Sequence, residues 1–290
     1  MQTITASRLG DHVLELTRHG PRHEDDPVAV AAALGYLTGC LTGSGYTVER
    51  EVYGPGHADV SLLATRAGTG AAPLLEVGAH WDTIPTSPGA DDNGSAVAAL
   101  LEIARVTAAG PAPARGVRFC VFGGEDGATA ATACLGSTAH VATLGGRVEG
   151  AIVLEMVGYR DSSPGSQRLP ADLAAAVPPP VPDRGDFIAV LADPRAGRLL
   201  STLVAQAALV EPTLPVLPLT VPPAMGGTAA RSDHYPYWTA GVPAVMVTDT
   251  AEFRNPHYHR ASDVVETLDL GFAAQVARAV AAAVAELART

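Results

Sequence analysis

Cysteine is scarce in this 290-residue chain. There are three, Cys40, Cys120 and Cys134, and none stands in C-x-x-C spacing. That excludes a disulfide-stapled scaffold and a thiolate zinc cage, and it leaves free, mostly buried thiols of the kind kept in a reducing compartment. Positive charge is scarce as well. Nineteen basic residues against 30 acidic ones give a formal charge of -11, which speaks against nucleic acid or an anionic membrane surface as a partner and favours multivalent cations. No apolar run reads as membrane-spanning, and the N-terminus MQTITASRLGDHVLELTRHG has neither the basic nor the apolar region of a signal peptide. The expected location is the cytoplasm. Internal repeats and a dividing linker are also missing, so residues 1–290 are read as one domain.

What is present is apolar bulk in a β/α rhythm. Hydrophobic residues make up 47% of the chain, enough for a large core. The spacing predicts a helix over 28–45 and a hairpin around Gly54-Pro55-Gly56. Strands are predicted over 73–80, 116–124, 150–158, 186–193 and 243–250, and further helices over about 95–108, 195–210 and 270–288. The strands are near-continuous apolar runs, as in sheets covered on both faces. The expected fold is α/β, with a central, mixed and mostly parallel sheet flanked by helices. Two long stretches, 161–185 and 211–233, show no regular pattern, and loops of that length are usually functional or disordered.

The charges are concentrated at strand ends. His80 and Asp82 close one strand, Glu125 and Asp126 follow another, Glu155 ends a third and Asp249 a fourth. In an open α/β sheet these ends share one edge, where ligands bind. Several carboxylates in one pocket repel each other unless a cation joins them. A His and Asp/Glu donor set without thiolates suits catalytic zinc, with manganese or cobalt as substitutes. Each motif has a plainer reading when taken alone: His80 as a polar strand end, ADDNG as an acidic helix cap, GED as a solvated turn.

Together the motifs VGAHWDTIPTSPGADDNGSAVAALLEIAR, RFCVFGGED, CLGS, VLEMVGY, SDHYPYW and GVPAVMVTDTAEFRNPHYHRASDVVETLD, in order from about residue 77 to 269, resemble the co-catalytic zinc aminopeptidase family. That family includes bacterial leucyl aminopeptidases, glutamate carboxypeptidases, glutaminyl cyclase and the catalytically dead transferrin receptor ectodomain. HGPRH at 19–23 fits its N-terminal helix. The resemblance implies two zinc ions, one held by His80, Asp92 and Glu155 and the other by Asp92, Asp126 and His259, with Asp92 bridging and followed by a cis peptide. It also implies Glu125 as general base; Asp82, two residues from His80 and on the same face of its strand, would support the imidazole, and Tyr258, beside His259, would donate a hydrogen bond to the oxyanion. Asp91 would be a supporting residue, His257 a surface or supporting one, and Asp233 and His234 would be structural or substrate-positioning.

One departure from the family stands out: its second acid after GE is usually glutamate, and here it is Asp126, one methylene shorter, followed by GATAATA. The implied activity is metal-dependent hydrolysis of an amide bond, as an aminopeptidase on short peptides or amino-acid conjugates. Arg231 is the candidate grip for a carboxylate should the enzyme work from the C-terminal side. A single-zinc cyclase would follow from weak binding by Asp126. A binding module that has lost catalysis is the reading from another class, and the full ligand set argues against it.

Overall fold

The structure is a computed structural model that describes residues 3–126, 134–174, 176–177, 179–222 and 227–289. Helices α1 (Ala6–Thr17) and α2 (Pro27–Gly43) lead into an antiparallel hairpin of β1 (Val48–Val52) and β2 (Val60–Arg66). Asp26 caps α2 at the N–H groups of Val28 and Ala29, and Pro27 takes its first position, where the missing N–H has no partner to lose. There follow β3 (Leu74–His80), α3 (Ala96–Ala109), β4 (Val117–Phe122), α4 (Leu135–Ala142) and β5 (Val148–Glu155). The second half holds β6 (Ile188–Ala192), α5 (Gly197–Val210), β7 (Val216–Thr220), α6 (His234–Thr239), β8 (Ala244–Thr248) and α7 (Leu270–Leu287).

The eight strands form one sheet in the order β1-β2-β4-β3-β5-β8-β6-β7. Pairing is antiparallel at β1/β2, β2/β4 and β6/β8 and parallel elsewhere. Alternate residues of each strand feed two cores. In β4, Val117, Phe119 and Val121 join the side covered by α1, α2, α3, α5 and α7, while Cys120 and Phe122 join the side of α4 and α6. The chain leaves β3 for β4 on one side and returns to β5 on the other, so β3 lies at the switch of strand order. The crevice beyond its C-terminal end is where such sheets bind ligands.

The expected fold class, hairpin, five strands and three later helices are all present. Residues 211–233 differ from expectation, because they contain β7. Pro218 hides the strand pattern, and it is tolerated because β7 is an edge strand paired only with β6. The expected absence of a membrane-length apolar segment is also corrected, since α7 is 18 residues long and apolar enough to cross a membrane by length and composition. Ten of its residues, among them Phe272, Val276, Val280 and Val284, are buried, where they pack in the helix-rich core.

Candidate metal centre

Asp92 lies in a wide turn, Ala90–Ser95, between the loop after β3 and the start of α3. Asn93 fixes that turn to the end of β5: its side chain donates to Leu154 O (3.1 Å) and accepts from Met156 N (2.9 Å). The peptide joining Asp92 to Asn93 is cis. After β4 the backbone turns through Gly124 at φ +69, where a Cβ would lie 2.7 Å from the Tyr53 hydroxyl. Only glycine fits there, and the turn delivers Glu125 and Asp126 to the crevice.

Six side chains meet at the crevice. His80 Nε2 stands 3.5 Å from Asp92 Oδ1, 3.4 Å from Glu155 Oε2 and 3.7 Å from Glu125 Oε2. His259 Nε2 stands 3.1 Å from Asp92 Oδ2 and 3.3 Å from Asp126 Oδ1. Asp92 therefore offers one oxygen to each half of the cluster. Two ligand atoms about 2.0–2.2 Å from one zinc at a tetrahedral angle stand roughly 3.3–3.6 Å apart, close to these separations. The nitrogens His80 Nε2 and His259 Nε2 and the oxygen Asp126 Oδ2 are buried with no hydrogen-bond partner. Buried polar atoms are almost always paired, so orphaned donor atoms at one point fit a cation held between them.

The electrostatics reflect the same crowding. Burial lifts the Glu125 carboxyl well above its usual range, and Glu155 and Asp126 lift it further against the pull of His80. Burial with Asp92 alongside pushes Asp126 up to about 7. Burial disfavours charge on His80, yet Glu155 and Glu125 hold it well above an ordinary histidine. His259, opposed by burial but facing the carboxylates of Asp126 and Asp92, is raised to about 10. Against its own burial, Asp92 is held below the carboxylate range by both imidazoles.

The remaining candidates fall in different places. The Asp82 carboxylate accepts the backbone N–H groups of Glu125 (3.3 Å) and Asp126 (3.0 Å), and its carbonyl oxygen is 3.2 Å from His80 Nδ1. It thus supports both the imidazole and the acidic pair. Tyr258 stacks on His259 at 3.8 Å between ring centroids. Arg231 lines the cavity beside the cluster, where its guanidinium pairs with Glu252 and donates to the Tyr258 hydroxyl at 3.0 Å. Asp233 and His234 do not line the cavity; both are wholly buried, and His234 packs edge-on against Trp238. Asp249 ends β8 without joining the cluster, because its carboxylate takes the N–H groups of Tyr159 and Ala251. Asp91 is a support, accepting from Ser95, Gly158 and Asn255. His257 bonds Ser262. GATAATA, residues 127–133, lies outside the described residues.

Ser232 is a site residue that sequence reasoning missed. It donates to Glu155 Oε2 at 2.6 Å, and its place in the SDH motif was the available signal. Beside the cluster opens a cavity of about 100 Å³ with Asp92, Glu125, Asp126 and Glu155 at its acidic end. Its walls include Leu173, Phe187, Leu191, Leu219, Met246 and Phe253.

The description "Peptidase family M28" matches residues 62–178 and 189–284. The chain is 34% identical over 265 residues to the uncharacterized protein YfbL of Escherichia coli, covering 88% of this chain and 80% of that one. A zinc aminopeptidase from Bacillus subtilis, BSAP, shares the fold at 24% identity and a TM-score of 0.59, over 79% of this chain and 50% of its own. The Porphyromonas gingivalis glutaminyl cyclase shares it at 20% identity and a TM-score of 0.74, over 99% of this chain and 100% of its own.

Proposed function

Because this chain belongs to peptidase family M28 and is a zinc metallopeptidase, we propose that it is an aminopeptidase that removes apolar N-terminal residues from short peptides or amino-acid conjugates. The whole chain acts as one catalytic domain, and its free cysteines accord with a cytoplasmic setting. The observation that carries the reading is the split of Asp92 between two histidines, 3.5 Å from His80 and 3.1 Å from His259. His80, Asp92 and Glu155 would hold one zinc, and Asp92, Asp126 and His259 the other. Although Asp126 is one methylene short of the usual acid, it stands 3.3 Å from His259, which supports a two-ion site over a single-zinc cyclase.

Bound zinc supplies Lewis acidity that polarises the scissile carbonyl and eases proton loss from water near neutral pH. Glu125, lifted by burial and its acidic neighbours, takes that proton and hands it to the departing amine. Tyr258 accepts from Arg231 through its oxygen, which leaves its own hydrogen to donate to the developing oxyanion. Ser232 orients Glu155. The free α-amine of the substrate meets the acidic end of the cavity, and its side chain lies along the apolar walls.

A panel of aminoacyl anilides tests this. Leucyl and phenylalanyl anilides are cleaved well, glutamyl and lysyl anilides poorly, and N-acetyl-leucyl anilide not at all. Equal cleavage of the N-blocked substrate would sink the aminopeptidase reading.

A further inference from the structure

The turn that carries Asp92 is gripped from two sides by buried charged residues that do not bond each other. On one side Asp263, wholly buried, accepts the N–H groups of Asp91 (2.9 Å) and Asp92 (3.1 Å) through its two carboxylate oxygens. Its carbonyl accepts from Ala90 N at 3.2 Å. On the other side Arg22, 1% exposed, donates from Nη1 to Pro88 O (2.7 Å), from Nη2 to Gly89 O (3.0 Å) and from Nε to Trp81 O (2.6 Å). Trp81 directly follows His80, so one guanidinium ties the strand end bearing His80 to the approach of Asp92. Arg22 N also donates to Thr83 Oγ1 at 2.8 Å. Gly89 makes the contact possible: it sits at φ +67, and a Cβ there would lie 2.9 Å from Arg22 Nη2 and 2.4 Å from Asp92 O.

A buried cation bonded only to carbonyl oxygens is costly unless other charges offset it. Here the charges of Asp263, Asp82, Asp92 and Asp126 oppose the effect of burial. A lysine has no planar fork and cannot span three carbonyls on two segments at fixed angles. We propose that Arg22 and Asp263 are a paired set of positioning residues that fix the spacing of His80 and Asp92, and through it the affinity of the centre for zinc. The inference rests on the reading of Asp92 as a zinc ligand.

Arg22→Lys, Asp263→Asn and the double variant test it in the full chain. Asparagine keeps the shape of Asp263 but offers one acceptor oxygen to two N–H groups. Three quantities are measured: zinc affinity by competition with a chromophoric chelator, thermal unfolding of the metal-free chain, and kcat and KM on leucyl anilide. Each single variant is expected to weaken zinc binding by about 10- to 100-fold and to lower kcat with KM nearly unchanged, while the metal-free chain still unfolds cooperatively, at a lower temperature than the parent. The double variant should match the worse single, because both changes act on one turn. Should Arg22→Lys fail to fold, Asp263→Asn decides. Zinc affinity equal to the parent's in folded variants, or losses that multiply in the double variant, overturn the clamp and leave the metal centre standing. A parent chain that binds no zinc overturns the metal centre, and the clamp with it.

Discussion

Glu125 shows how position decides the role of a carboxylate. Its Oε2 lies 3.7 Å from His80 Nε2, and burial with acidic neighbours lifts its pKa toward the range where a group can both take and give a proton. Glu125→Gln keeps the shape and loses the proton transfer. It should lower kcat by roughly 10²–10⁴ on leucyl anilide while zinc content stays at the parent level; unchanged kcat would remove Glu125 from the mechanism. Of the residues that converge here, His80, Glu125, Asp126 and Glu155 were legible as unusual polar side chains at or just after the ends of apolar strands, whereas Asp92 and His259 sit in turns and were reached only through the family resemblance. Ser232, Arg22 and Asp263 were legible in neither way. Serine is common, and a buried arginine or aspartate gives no periodic signal, so their roles come from side-chain contacts between residues 59 to 172 positions apart. The partner of Arg231 was hidden for a related reason, because Glu252 lies 21 residues away, beyond α6 and β8.

At the scale of elements, α4 and α6 are the short covers of the less populated face of the sheet, and one buried residue of β3 pins both. Glu76 accepts from His140 of α4 (3.1 Å), from Tyr237 of α6 (2.7 Å) and from Arg118 of β4 (3.1 Å). His140 Nδ1 also meets Glu51 of β1 at 2.9 Å. Glu76, Cys120 and His140 have donor atoms within 4.8 Å of one another, but Arg118 and Tyr237 already bond Glu76, and Glu51 takes the second ring nitrogen of His140. They are read as a structural network. Breaking a buried charge network by removing one partner costs about 3–5 kcal/mol. Glu76→Ala should therefore lower the melting temperature by roughly 10 °C, and a shift of one or two degrees would contradict the pinning role. These two helices, of 8 and 6 residues, were invisible in the sequence because neither is long enough to establish a 3.6-residue period. The long strands and α7 were plain for the opposite reason.

For the molecule as a whole, the acid-rich centre couples zinc, protons and stability. Folding raises the pKa of Asp126, Asp233 and Asp263 from 3.8 to about 7, so their contribution to stability is complete below about pH 4 and is lost as pH rises to 7. His259 is raised from 6.5 to about 10, so its contribution is complete below 6.5 and is lost as pH climbs towards 10. Both trends run the same way, and the metal-free chain should lose stability from pH 5.5 to 8. Zinc competes with the protons on the imidazoles and carboxylates, so its stabilising effect should grow over the same range. Melting temperatures of metal-free and zinc-loaded protein at the two pH values check this; a gap that does not widen would contradict it. The sheet and its functional edge could be read from the sequence because apolar runs and charged strand ends are local patterns. The apolar walls of the cavity could not, because they combine β6, β7 and β8 with the irregular segment 161–185. The most direct measurement is zinc per chain by elemental mass spectrometry, paired with leucyl anilide hydrolysis before chelation, after chelation and after zinc is returned. Two zinc ions are expected, with activity lost on their removal and restored on their return; a chain that binds no zinc, or that cleaves equally well without it, would contradict a zinc-dependent mechanism.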